Sequence, residues 1–207
     1  MSIAAIILAA GRSRRMGTQK LLLPWDGKTI IEYIVDQISA AGLNPIVVVI
    51  GGDAAADTSA ITQVLASRQV VLVHNPDRDA EMLTSVRCGL SALPTDCHAA
   101  LIALGDQPTI RTGLIQQLVE AYESSGHGIV MPAFLGKRGH PTILSAGYFR
   151  EVLTQYDGVG LRGLLDAHPK DVHEFSVSNP DVLADMDYPD EYQSQKLAHD
   201  TTRETSD

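Results

Sequence analysis

The sequence predicts a three-layer α/β/α fold around a mostly parallel sheet, and three observations carry that expectation. Short aliphatic, β-branched runs alternate with longer stretches of helical period. The runs are apolar at nearly every position, as strands covered on both faces are. The first run empties into a loop of small and cationic residues, at the kind of strand end where open α/β sheets take their ligands.

The strand-length runs are residues 3–8, 46–50, 70–74, 99–104 and 128–131. Between them lie 29–41, 57–68, 84–93 and 109–124, each with apolar residues three and four apart. In the first of these, Ile30, Ile31, Ile34, Val35 and Ile38 form one buried helical face. The order βαβαβαβαβ demands helices over both faces of the sheet. Past Pro132 the rhythm changes to a Gly-rich turn at 136–139, a strand at 140–144 and short helical segments at 148–153 and 161–167. A strand at 172–177, an acidic segment at 182–187 and a terminal helix from near Pro189 follow. One domain is expected over 1–199, with a polar tail at 200–207 that frays.

The composition narrows the function. A chain of 207 residues buries roughly 70% of its unfolded surface and needs no staples. The net charge of −9 argues against a nucleic-acid partner. No apolar run approaches the roughly 20 residues of a membrane span, and no basic segment precedes the first run, so a cytoplasmic protein without a membrane partner is expected. Cys88 and Cys97 have no metal or redox spacing and read as packing residues. Oligomeric state has no readable signal.

Charge is unevenly placed. Up to Trp25 the only charged side chains are Arg12, Arg14, Arg15 and Lys20, all cationic, on an otherwise acidic chain. Small residues beside them let backbone amides approach a ligand, and each phosphate charge near an arginine is worth about 4 kcal/mol before desolvation at an effective dielectric of 20. A triphosphate fits; a solvated basic loop is the plain alternative. The Walker A pattern fails because Thr18, not Lys, follows Gly17, and Gly11 and Gly17 lack the GxGxxG spacing of a dinucleotide fold.

A carboxylate, Asp106, closes the run 101–104, beside the first loop if the strands neighbour one another. Such a group suits a triphosphate only if it holds Mg²⁺, which takes one or two protein carboxylates and fills its shell with phosphate and water. Otherwise it is a turn residue before a helix capped by Thr109. Asp185 and Asp187 share one side of an extended segment and could complete a metal site, or Asp187 could cap the helix that Pro189 opens. Thr84 and Ser85 read as a helix N-terminus, and His140 by itself as a structural histidine.

Residues 8–24, LAAGRSRRMGTQKLLLP, closely resemble the opening signature of the MobA-like nucleotidyltransferases. The resemblance implies a Rossmann-like, GT-A-like nucleotidyltransferase fold. It implies that the loop wraps the triphosphate, that Leu8, Ala9, Ala10, Gly11 and Ser13 bind the nucleotide with the small residues bordering the base, and that Arg15 and Lys20 neutralise phosphate. Arg12 and Arg14 fall at variable positions. Ala10 is similar to the cytidylyl-transferring branch. HNPDRDAEMLTSVRCGL, 74–90, resembles the family segment that brings the serine matching Ser85 close to the base, with Glu81 in place of the usual Gly. The ADMDYPDEY close implies a metal role for Asp187 beside Asp106. GKRGHP and DGVGLRGLL resemble the acceptor side of molybdenum cofactor cytidylyltransferases, which implies Gly139, His140 and Arg162 as acceptor contacts.

The expected reaction is transfer of CMP from CTP to the phosphate of a molybdopterin-type acceptor, with release of pyrophosphate. Arg15, Lys20 and Asp106 form the catalytic set, Mg²⁺ is the cofactor with Mn²⁺ as a substitute, and transient contact with a molybdoenzyme or its chaperone follows as a partner. The alternatives are the same chemistry with GTP or with a sugar or alditol phosphate, and a non-catalytic nucleotide- or pterin-binding delivery module. A Rossmann oxidoreductase is a more distant alternative.

Overall fold

The computed structural model describes residues 2–11, 13, 15–51, 56–77 and 81–204. Arg12 and Arg14 lie outside the described residues. The chain runs β1 (Ile3–Ala9), β2 (Pro24–Trp25), β3 (Lys28–Thr29), α1 (Ile30–Ala40), β4 (Ile46–Gly51), α2 (Ala56–Leu65), β5 (Val71–Asn75), α3 (Met82–Ser91), β6 (Ala99–Leu104) and α4 (Thr112–Ser125). It continues through β7 (Ile129–Phe134), β8 (Lys137–Arg138), β9 (Thr142–Ser145), α5 (Phe149–Thr154), α6 (Leu161–Ala167), β10 (Val172–Ser176) and α7 (Pro189–Glu204).

The main sheet has the order β10-β7-β9-β6-β1-β4-β5, with β8 paired to β7. Pairs β1/β4, β1/β6, β4/β5 and β7/β10 are parallel. Strand β9 enters antiparallel between β6 and β7. The expected α/β fold with a mostly parallel sheet is therefore present.

Alternation along β1 divides the core. Ile3, Ala5, Ile7 and Ala9 join a cluster with buried residues of α1, α2, α4 and α7, whereas Ile6 joins one with α3, α5 and α6. A strand buried on both faces needs this unbroken apolar run. Thr29 and Glu32 form a capping box at the start of α1, which buries Ile30, Ile31, Tyr33, Ile34, Val35 and Ile38. Among the described residues no helix is long and apolar enough to cross a membrane.

Two local expectations are corrected. Thr109 does not cap α4: Arg111 is its N-cap residue, and the Thr109 hydroxyl instead donates to the Asp181 carbonyl (3.5 Å). Thr84 and Ser85 lie inside α3, which opens after Glu81 without a side-chain cap. Helix α7 runs Pro189–Glu204, and residues 205–207 of the expected polar tail lie outside the described residues.

Candidate active site

Register places the site. Leu8 of β1 lies opposite Leu104 of β6, so the loops that follow these parallel strands leave the same edge side by side. Gly105 N donates to Leu8 O at 2.9 Å, and a Cβ on Gly105 would stand 2.8 Å from that oxygen; only glycine lets Asp106 come this close to the first loop. Because β9 is antiparallel, with Thr142 opposite Ile102, its entry residue His140 arrives at the same edge.

The first loop is tied to itself. The Ser13 hydroxyl donates to Gln19 Oε1 (2.9 Å) and accepts from Lys20 N (3.2 Å), while Ser13 has a positive φ of 48°. This fold-back drives the Lys20 side chain inward, to 10% exposure. Its ammonium pairs with Asp106 Oδ2, with Asp187 Oδ1 (3.0 Å) and with the Met186 carbonyl (3.2 Å). Arg15 Nη1 donates to the other oxygen of Asp187 (2.8 Å), and its guanidinium lies 5.6 Å from the centre of the Tyr188 ring. Residues 15, 20, 106 and 187, from three distant stretches of chain, thus meet around one ammonium.

Titration follows from this packing. Burial alone pushes Lys20 down, but the charge and hydrogen bond of Asp106, joined by those of Asp187, outweigh it and hold Lys20 above its ordinary value. The hydrogen bond from Lys20, opposed by burial and aided by the charges of Lys20 and Arg15, keeps Asp187 below the usual carboxylate range. Asp185 goes the other way: burial raises it, the negative charges of Asp106, Asp187 and Glu191 raise it further, and His140 opposes. Burial lowers His140 against the pull of Asp185 and Asp106, and its Nδ1 is buried without a hydrogen-bond partner.

Among the described residues the Asp187 carboxylate goes to Lys20 and Arg15 rather than to the first amides of α7. Glu191 supplies the reciprocal carboxylate at the start of α7, accepting from Asp187 N (2.7 Å) and Tyr188 N (2.9 Å), and so leaves Asp187 to the cations.

Two cavities adjoin this centre. One, of about 280 Å³, is lined by Leu8, Ala9, Gly11, Ser13, Arg15, Lys20, Leu21, Asp106 and Asp187. The other, of about 840 Å³, includes Gly139, His140 and Arg162 among its walls, with Arg138 and Glu174 paired at 2.7 Å and an apolar floor that includes Ile102, Ile129 and Leu144. The three sequence-derived acceptor residues therefore share one cavity, although Gly139 also has a packing role: its Cβ would meet Val182 O at 2.3 Å. Ser85 and Ala10 are not brought into the first cavity. The Ser85 hydroxyl is buried and accepts from Asn75 Nδ2 (2.9 Å).

Sequence reasoning missed Asn75, Gln19 and Gln107. Each is an uncharged anchor whose partner is set by tertiary contact, so its residue type alone assigns it no role.

A divalent cation is the group this fold implies. Asp106 and Asp187 surround a point that the lysine ammonium already occupies, and two carboxylates are a donor set that Mg²⁺ or Mn²⁺ accepts when phosphate and water complete the shell. Among the described residues no group of three or more His, Cys, Asp or Glu side chains gathers as a self-contained metal cluster. The residues present fit a cation shared with a substrate.

Residues 5–172 match the model of the MobA-like NTP transferase domain. The chain belongs to that family. The molybdenum cofactor cytidylyltransferase of Escherichia coli K12 is 27% identical over 197 residues, 94% of this chain and 96% of that protein. The nicotine blue oxidoreductase of Paenarthrobacter nicotinovorans is 28% identical over 192 residues, covering 89% and 92%. A solved structure from Mycobacterium tuberculosis H37Rv superposes with a TM-score of 0.80 at 27% identity, covering 95% of this chain and 99% of that one. The family makes this chain a nucleotidyltransferase by descent; the oxidoreductase relative shows that members of one fold can bear names from different chemistries.

Proposed function

We propose that this chain is a cytidylyltransferase that transfers CMP from CTP to the phosphate of a molybdopterin-type acceptor. The observation that supports the reading best is the convergence of Lys20, Arg15, Asp106 and Asp187 at the mouth shared by β1 and β6, beside a larger cavity with an apolar floor. The first cavity offers cations for a triphosphate. The second offers room for a flat ring system, and Arg138 and Arg162 on its walls suit an anionic substituent. CTP is favoured by the alanine at Ala10 and by the name of the Escherichia coli relative.

In the reaction a phosphate oxygen of the acceptor forms a bond to the α-phosphorus of CTP, and the bond from that phosphorus to the β-bridging oxygen breaks. Pyrophosphate leaves with the electron pair. The attacking oxygen is already anionic, so no general base is needed. Arg15 and Lys20 hold the triphosphate in line and offset the charge that builds on the leaving group. Mg²⁺, held by Asp106 and Asp187 when bound, supplies additional charge neutralisation on the phosphates, and Mn²⁺ suits the same ligands. His140, whose burial disfavours the charged form, presents an imidazole to the acceptor side.

The deciding experiment measures pyrophosphate release across the four nucleoside triphosphates, each with molybdopterin, sugar phosphate and alditol phosphate, and weighs the product by mass spectrometry. CTP with molybdopterin alone should give turnover and the mass of the cytosine dinucleotide. A parallel arm follows NAD(P)H absorbance with flavin and pyridine nucleotides. Hydride transfer there, with no pyrophosphate in the first arm, would replace the reading. Asp106→Ala should bind acceptor and lose turnover; if the wild type binds both substrates and turns over neither, a delivery module is the answer.

A further inference from the structure

After Leu183 the chain is neither helix nor strand until α7 begins, yet this stretch carries Asp185 and Asp187. Together with the turn that precedes it, its backbone is held at five carbonyls by donors from elsewhere in the chain. Thr109 Oγ1 donates to Asp181 O (3.5 Å), His140 N to Val182 O (3.0 Å), Gln107 Nε2 to Ala184 O (2.9 Å), Gln195 Nε2 to Asp185 O (2.8 Å) and Lys20 Nζ to Met186 O (3.2 Å). The two central donors are carboxamides. Gln107, 3% exposed, follows Asp106 directly in the chain, whereas Gln195 reaches in from α7.

In both glutamines the other carboxamide atom, Oε1, is buried without a hydrogen-bond partner. A buried unsatisfied oxygen works against folding, and a methionine of similar shape would avoid it. What a methionine cannot do is donate. The N–H groups are thus the part of these side chains that the structure uses, and they grip two consecutive carbonyls from two different elements, the loop after β6 and helix α7.

We propose that Gln107 and Gln195 are positioning residues that clamp the Ala184–Asp185 backbone and thereby fix the separation of Asp187 from Asp106, which sets the affinity of that carboxylate pair for a divalent cation. The proposal rests on the reading that Asp106 and Asp187 hold such a cation together. Neither glutamine touches the cation or the nucleotide. Each acts through the backbone, as hydrogen-bonding groups behind metal ligands do elsewhere.

The test titrates Mn²⁺ into the full chain with CTP present and reads free Mn²⁺ from its electron paramagnetic resonance signal. Gln107→Met and Gln195→Met should each weaken Mn²⁺ binding, by roughly 10- to 100-fold. The double variant should fall short of the product of the two losses, since both act on one stretch of backbone. In turnover assays the metal requirement should rise more than the KM for CTP. Wild-type Mn²⁺ affinity in both methionine variants overturns the clamp. If Gln107→Met does not fold, Gln195→Met on the outer helix decides alone. Failure of the underlying reading looks different, because then Asp187→Asn binds Mn²⁺ as the wild type does.

Discussion

Lys20→Met removes the ammonium and keeps most of the stem that packs in the loop. In the wild type that ammonium faces Asp187 at 3.0 Å and Asp106 closer still. At an effective dielectric of 20, one contact at 3.0 Å is worth about 5.5 kcal/mol of gross attraction. Most of this is returned as desolvation, and Asp187 is 43% exposed, so its share falls towards that of a surface pair, about 1 kcal/mol at most. Asp106 is 24% exposed and Lys20 10%, and breaking a buried pair of that kind costs about 3–5 kcal/mol because one charge stays behind unpaired. The expected loss is about 3–4 kcal/mol, or a fall in Tm of about 10 °C for a chain of this length, at about 2–4 °C per kcal/mol. The variant leaves the carboxylates facing one another across a vacated cation position. Millimolar Mg²⁺ or Mn²⁺ without nucleotide should therefore raise its Tm more than it raises that of the wild type, while turnover falls. Thermal melts with and without metal check this. Equal melting of the two proteins, or an equal metal increment, would refute the lysine as the resident counter-ion.

Asp187→Asn removes the shared partner of Lys20 and Arg15, and metal-dependent turnover should drop about 10-fold or more, read as kcat at saturating CTP. Stability of the apoprotein should have two limbs. Asp187 is depressed, so its contribution is present above about pH 4 and lost as pH falls through its native value; Lys20 is raised, so its contribution is present below about pH 10 and lost as pH rises further. Urea midpoints across pH should show a plateau between the limbs, and Lys20→Met should shrink the alkaline one, the remainder belonging to Tyr148 and Tyr156, whose hydroxyls are pushed up to about 12. Gly139→Ala places a Cβ 2.3 Å from Val182 O and should cost about 1–3 kcal/mol, with loss of acceptor binding before loss of CTP binding in calorimetric titrations.

The sequence made β1, β4 and β6 legible because a strand covered on both faces has to be apolar throughout, and few other elements need that. Their neighbours were less legible. Thr142–Ser145 has the composition of another parallel strand, yet β9 runs antiparallel, since direction is settled by its partners β6 and β7 and not by its own residues. The charged members of the site were visible for an electrostatic reason: Asp106 stands just past the end of β6 and Lys20 closes the cationic loop that follows β1, and an isolated charge in either place needs a partner. Which partner was not visible. Asp187 reads equally well as a helix cap, and only the reach of Glu191 back over the first turn frees it for the cations. Gln19, Asn75 and Gln107 escaped because an amide is chemically permissive, and its role depends on which carbonyl or hydroxyl the fold places opposite.

The lysine lock constrains the order of events on the proposed reading. A chain with net charge −9 must admit a polyanion into a site where Asp106, Asp185 and Asp187 face one another. Lys20 cannot serve these carboxylates and a triphosphate at full strength together, because its three N–H donors already have Asp106, Asp187 and Met186 as partners. Free nucleotide therefore meets carboxylates whose counter-ion is engaged. A nucleotide arriving with its own divalent cation brings a replacement partner for Asp106 and Asp187, and that exchange releases Lys20 towards the phosphates. Asp185, raised by burial and also by the charges of Asp106 and Asp187, points the same way through those charges, since each carboxylate relieved by the incoming cation lowers the charge against which Asp185 must ionise. Metal and nucleotide should consequently bind with positive coupling, each tightening the other by the same factor, and the coupling should shrink in Lys20→Met, where the exchange has no lysine to release.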